Sequence, residues 1–133
     1  MISKLDEMLD FHRSALNLRS YRQQILAGNV ANADVPQFKA RDIDFARALQ
    51  SAQAQSAARG ALAVTSPRHL RGAAGARGVS ELLYRVPHQD SLDGNTVDMD
   101  VERVQFADNA IHVEANLTFL NSQIKAMLAA IQG

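Results

Sequence analysis

No cysteine occurs in the 133 residues, which excludes disulfide frameworks, thiolate metal sites, redox dithiols and a Cys nucleophile. Tryptophan is also absent, and aromatic residues make up only 5% of the chain. Net charge is lacking too: 14 Lys+Arg stand against 14 Asp+Glu, which argues against a protein governed by attraction to phosphate or to a membrane surface. No apolar run approaches the roughly 20 residues of a membrane-spanning helix. Met1 to Glu7 brings acid early and lacks the apolar stretch of about 7–15 residues that marks a secretory signal. Large apolar side chains are scarce as well. Hydrophobic residues total 47%, but 22 of them are alanine, leaving 40 larger ones. The length suits a single domain with a thin core.

The neutral total conceals segregation. Residues 46–88 hold Arg47, Arg59, Arg68, Arg71, Arg77 and Arg85 against Glu81 alone, a net of +5. Residues 89–114 hold Asp90, Asp93, Asp98, Asp100, Glu102, Asp108 and Glu114 against Arg103, a net of −6. Composition shifts at the same places. Between Ala46 and Ser80, eleven Ala, four Gly and four Ser make up 19 of 35 residues. Each internal glycine costs a helix about 1 kcal/mol relative to Ala, and Leu62, Val64, Leu70 and Val79 bury too little to offset ordering. This segment reads as a loop, or as one that orders on assembly.

The last third is the most regular. Phe106, Ala110, Val113, Leu117, Leu120, Ile124, Met127 and Ile131 alternate spacings of four and three, a heptad seam. It reaches back to Met99, with Arg103 as its polar occupant. The pattern predicts a helix over 98–131, about 50 Å long, with Asp98, Asp100 and Glu102 complementing the dipole at its start. Near the N-terminus, Met8, Phe11, Ala15, Leu18, Tyr21 and Ile25 form a second stripe, widened by Ile2, Leu5, Leu9 and Leu16. No Gly or Pro precedes Gly28, so a helix over 3–27 is expected, with Gly28-Asn29 as a stop unless Val30 and Ala31 carry it further, and a firmer break at Pro36. Two long stripes at opposite ends, with little between, are expected to pack on each other or on copies of themselves.

Between the helices, Gln37 to Phe45 alternates at Phe38, Ala40, Ile43 and Phe45, as a strand with a shift at Arg41-Asp42. Asp93-Gly94-Asn95 is a turn signal, and with Tyr84-Arg85-Val86 before it and Thr96-Val97 after it a small β-hairpin is consistent. Chemistry is sparse. Of His12, His69, His88 and His112, only His112 has a partner at helical spacing, Asp108, an ordinary surface contact. Asp90 to Asp100 misspaces a calcium loop, and Gly72 to Gly78 lacks the Lys-Ser/Thr end of a phosphate loop. The Arg-bearing middle has one aromatic, Tyr84, and no dense basic cluster, so nucleic acid is not an expected partner.

Three blocks carry a resemblance. Ile25 to Lys39, with Asn29-Val30-Ala31-Asn32-Ala33-Asp34-Val35-Pro36-Gln37-Phe38-Lys39, resembles the N-terminal signature of flagellar rod and hook proteins. Lys39 to Phe45 and Ser91 to Asp100 look like the proximal rod members of that family. So does the final helix through Asn116, Leu120, Ile124 and Ala130 to Gly133. The resemblance spans residues 1–45 and 80–133, with only Thr65 to Leu70 familiar between. Val35 stands where Thr is usual, Gln37 where Gly is usual and Phe38 where Tyr is common. If that glycine has a positive φ, Gln37 costs about 1 kcal/mol or forces another turn.

The resemblance implies a mainly α fold, with the terminal helices paired as an antiparallel coiled-coil-like hairpin and a loop-rich middle. The expected divisions are 1–35, 36–97 (with 46–80 Ala/Gly/Ser-rich) and 98–133. It implies a structural subunit without catalysis, cofactor or metal, assembling in the periplasmic rod of the basal body after export without signal cleavage. Partners would be copies of itself, other rod proteins, and components of the inner-membrane ring and export apparatus, without membrane insertion. The expected subunit-interface residues are Met8, Phe11, Leu18, Ile25, Phe106, Val113, Leu117, Leu120, Ile124, Met127 and Ile131. Asn29, Asn32, Ala33, Asp34, Pro36, Phe38 and Lys39 form the family turn, and Asp93, Gly94, Asn95, Thr96, Val97 and Asp98 the second motif. A soluble helical adaptor that binds one partner helix in a groove is the competing reading.

Overall fold

Without Gly or Pro in its first 27 residues, the N-terminal segment forms one uninterrupted helix, α1, Ile2–Ala31. The computed structural model describes residues 2–59, 81–87, 89 and 91–132. Gly28 does not stop α1 but remains helical. The helix ends where the Asn32 side chain donates to the Gly28 carbonyl at 2.7 Å and the Asn32 amide reaches the Gly28 and Asn29 carbonyls. These bonds satisfy carbonyls that a helix end otherwise leaves open.

The long C-terminal helix, α3, Met99–Gln132, starts where Asp98 caps it. The Asp98 carboxylate accepts from the amides of Asp100 at 3.0 Å and Val101 at 3.3 Å, and its carbonyl accepts from Glu102 at 2.8 Å. Acids at Asp100 and Glu102 occupy the first turn, where the helix dipole favours them. With 30 and 34 residues, α1 and α3 are ~45 and ~51 Å long. They pack antiparallel: Asn29 lies beside Glu102, and His12 beside Asn116. That register brings the last turn of α3 to the start of α1.

The middle departs from expectation in two ways. Residues 46–59 are not a loop but most of a third helix, α2, Phe45–Arg59. Asp44 caps it through the Arg47 amide at 3.1 Å, alanine favours it, and no glycine intervenes before Gly60. Buried Ala48 and the Phe45 ring, with the Arg19 guanidinium 3.8 Å above its centroid, seat α2 on α1. The remainder of the expected loop, 60–80, lies outside the described residues.

The sheet also differs from the expected hairpin around Asp93-Gly94-Asn95. Strand β1, Arg41–Ile43, pairs antiparallel with β2, Leu82–Tyr84, in the register Arg41 to Tyr84, Asp42 to Leu83 and Ile43 to Leu82. The expected strand over Gln37 to Phe45 is thus cut to three residues, because Asp44 opens α2 instead. Thr96 serves the adjacent segment: its amide donates to the Phe38 carbonyl at 3.0 Å, and its hydroxyl accepts from the Ala40 amide at 2.8 Å.

Among the described residues, the buried apolar ones are Ala15, Leu18, Leu26, Ala40, Ile43 and Ala48, and beside them Asn29, Asn95, Glu102 and Asn109 are buried. Enclosing these four polar side chains is unusual, since charged and amide groups are rarely fully buried unless paired. Among the described residues, no helix is long and apolar enough to cross a membrane.

Candidate functional site

The family turn and the second motif, some sixty residues apart in sequence, meet at the end of the helix hairpin. Asn95 is their hub. Its side-chain amide lies within hydrogen-bond distance of the carbonyls of Asn32 at 3.1 Å, Ala33 at 2.6 Å and Val35 at 2.9 Å. The group has two hydrogens, so one of them is shared. Its carbonyl oxygen accepts from the Val97 amide at 2.8 Å, and its own amide donates to Asp93 at 3.1 Å. Lys39 reaches the Gly94 carbonyl at 2.7 Å. Asp34 and Pro36 remain exposed, while Phe38 and Val97 are half-buried.

Gln37 shows why glycine suits this turn. Its φ is 61°, the one positive value at a non-glycine among the described residues, and its amide donates to the Asp93 carbonyl at 2.9 Å. Opposite it, Gly94 has φ 72° with the Gln37 Cα and Cγ both 3.8 Å from where a Cβ would sit. Two left-handed residues therefore face each other, and only one is glycine.

Deeper in the junction lies a charged network that the sequence patterns did not reveal. Asp42 on β1 accepts from Arg22 of α1 in a two-pronged pair, both bonds 2.9 Å, and from Arg85 at 2.7 Å. Arg85 turns its other nitrogen to Glu102 at 2.5 Å, and Arg22 also reaches Gln105 at 2.8 Å. Asn29 bridges the network to the backbone: it donates to the Arg41 carbonyl and to Glu102 and accepts from the Arg41 amide. Burial pushes the Asp42 carboxyl up, but bonds from Arg22, the Ile43 amide and Arg85 outweigh it and hold the group below its ordinary value. Burial raises Glu102 above its ordinary value, with Asn29 and Arg85 offsetting only part of the effect. Both carboxylates have donors already in place. This geometry latches α1, β1, α3 and the residue that follows β2 together, with both carboxylates committed to structural bonds.

The network continues as a ladder along the hairpin. Glu102, Asn109 and Asn116 recur at spacings of seven and all face α1. Asn109 is fully buried, donating to the Arg19 carbonyl at 2.9 Å and to Gln23 at 2.5 Å. The Asn116 side-chain oxygen accepts from His12 Nδ1–H at 2.7 Å, and its amide nitrogen donates to the His12 backbone carbonyl at 3.4 Å. The inward stripe of α3 is thus one residue out of step with the apolar seam, and its charged member is Glu102 rather than Arg103. The heptad spacing of these polar residues was the available signal. It lay beside a more conspicuous apolar one.

The apolar seam is divided accordingly. Leu18 is buried, and Met8, Ile25, Val113, Leu120 and Met127 are half-buried. Phe11, Phe106, Leu117, Ile124 and Ile131 stay exposed, Ile131 at 82%. Val104, Ile111 and Phe119 add further exposed apolar surface to α3. Among the described residues, no group of three His, Asp or Glu could hold a metal, and the His112–Asp108 contact is a surface pair at 3.7 Å.

The family model described as Flagella basal body rod protein matches residues 9–39, most of α1 and the turn after it. The flagellar basal body rod protein FlgB of Proteus mirabilis (strain HI4320) is 51% identical over 135 residues, spanning 99% of this chain and 98% of that protein. FlgB of Salmonella typhimurium is 50% identical over 136 residues, spanning 100% and 99%. FlgB of Aeromonas hydrophila is 42% identical over 134 residues, spanning 100% and 98%. With identity near one half across whole lengths, and the family signature folded into the junction of the two terminal helices, the chain belongs to the FlgB family of flagellar basal body rod proteins.

Proposed function

We propose that this chain is a structural subunit of the proximal rod that polymerises through its terminal helices in the periplasm, after export without signal cleavage. Its family is one of structural rod proteins rather than enzymes, which disfavours the single-partner adaptor. The observation that carries the reading is the division of α3: polar Glu102, Asn109 and Asn116 face α1, while Phe106, Leu117, Ile124 and Ile131 are left outside. Exposed apolar stripes along a ~51 Å helix are what lateral neighbours would cover.

In this reading the partners are copies of the chain, other rod proteins, the inner-membrane ring and components of the export apparatus. Of the expected interface residues, Met8, Phe11, Ile25 and the α3 seam from Phe106 to Ile131 remain available to neighbours, whereas Leu18 is already buried within the subunit. The motif junction from Asn29 to Lys39 and Asp93 to Asp98 holds the hairpin end that neighbours contact. Among the described residues, the opposed charge blocks already meet inside the chain at Arg85 and Glu102. Asp98 and Asp100 remain exposed for arginines of an adjacent copy, lending register more than affinity. Deleting the gene and fractionating the envelope tests the assignment. Motility should be lost, with no rod above the inner-membrane ring. Intact rods in the deletion strain would overturn it.

A further inference from the structure

On the outer face of α3 runs an apolar groove lined by Ile111, Glu114, Ala115, Thr118, Phe119 and Ser122. Its position follows from helix geometry. Ile111 lies two residues beyond Asn109, about 200° around the helix, so the groove opens away from the side that Asn109 presents to α1, with Phe119 at its margin, its ring 5.0 Å from that of His12 on α1. Ile111, at 68% exposure, and Phe119, at 49%, form its walls. Ala115, Thr118 and Ser122 form a low floor. Such alternation of large and small side chains accepts the ridge of another helix.

A matching ridge exists on the chain itself. The register set by Asn29–Glu102 and His12–Asn116 brings the end of α3 to the start of α1, where Leu128 is 51% and Ile131 82% exposed. We propose that the C-terminal turn of α3 from a second copy of this chain seats in this groove, joining copies head to tail. The proposal rests on the rod-subunit reading and specifies which surfaces meet. An offset of thirteen residues between parallel helices, about 20 Å along the axis, sets Leu128 over Ala115 and Ile131 over Thr118.

Charge agrees with that offset. Around the groove, residues 104–114 carry Asp108 and Glu114, whereas residues 115–132 carry Lys125 alone. The same offset brings Lys125 of one copy between Asp108 and Glu114 of the next. Groove and ridge are different patches on one chain, so the contact is heterologous. It leaves a free groove at one end and a free ridge at the other, the condition for continued growth rather than a closed dimer.

The absence of native cysteine makes the contact directly testable. Ala115→Cys and Leu128→Cys variants are co-expressed in the deletion strain, and basal bodies are isolated and mildly oxidised. Head-to-tail seating predicts that the mixed disulfide exceeds either same-site species, and that a chain carrying both substitutions forms a ladder. Thr118→Cys with Ile131→Cys provides an independent pair should one variant fail to fold. In the purified chain, Lys125→Glu should weaken self-association about two- to fivefold and added Glu114→Lys should restore it, the range of an exposed ion pair. Rods that contain both cysteine variants but show only same-site disulfides, or none, overturn the inference while leaving the rod assignment standing. Absence of the chain from isolated basal bodies overturns both.

Discussion

Replacing Gln37 by glycine should stabilise the chain. Gln37 occupies the left-handed region at φ 61°, which costs an L-residue about 1–2 kcal/mol. Glycine adopts that conformation freely but surrenders about 0.4–1 kcal/mol through a more flexible unfolded state. The difference favours Gln37→Gly by about 0.5–1 kcal/mol, or roughly 2–6 °C in Tm for a chain of this size. The amide bond to Asp93 is kept, since it belongs to the backbone. Asn, which tolerates the region better than Gln, should fall between them, and β-branched Val should be the least stable. Thermal unfolding followed by helical circular dichroism across Gly, Asn, Gln and Val gives the order. If Gly were no more stable than Gln, or Val equalled Gln, the left-handed conformation would not be the source of strain.

Gly28 lies inside α1 with open space where a Cβ would project, so Gly28→Ala should raise stability of the isolated chain by about 0.5–1 kcal/mol, measured by urea unfolding. Glu102→Ala should lower it by about 2–4 kcal/mol in the same assay, because Arg85 and Asn29 lose the carboxylate they share. The pH dependence has two limbs of opposite sign. Glu102 has a raised folded pKa, so acidification from neutrality first relieves its buried charge and raises the urea midpoint. Asp42 has a lowered one; its stabilisation is complete above its unfolded value of about 3.9 and is lost as pH falls through the folded value, a loss that Asp42→Asn should flatten. Leu117→Asp, at a position 40% exposed, should block rod formation and motility yet leave the helicity of the purified chain intact. Loss of helicity would place Leu117 inside the subunit.

The two long helices were legible because their determinants are local. An apolar residue every three or four positions, no Gly or Pro before Gly28, and Asp98 ahead of α3 suffice to place them. The family signature was legible too, since Asn29 to Lys39 and Asp93 to Asp98 are contiguous runs. What local pattern could not state is which stripe of α3 faces α1. Phe106, Leu117 and Ile124 form the stronger apolar series, but Glu102, Asn109 and Asn116 find partners on α1, and a buried polar group is worth enclosing only when its partner is fixed in place. Composition likewise disguised α2, because alanine-rich sequence serves a loop or a helix until Asp44 caps it and Ala48 finds α1 to pack on.

By itself, then, the sequence determined helices, breaks and membership of a family of rod proteins, all carried by neighbours along the chain. Only the tertiary structure decided that Arg22, Asp42, Arg85 and Glu102 form one latch, that β1 pairs with β2 rather than a hairpin closing at Gly94, and that the apolar seam is left partly outside. Those outcomes depend on contacts between residues tens of positions apart. Their energies come from satisfying charges and amides in three dimensions, which periodicity does not encode.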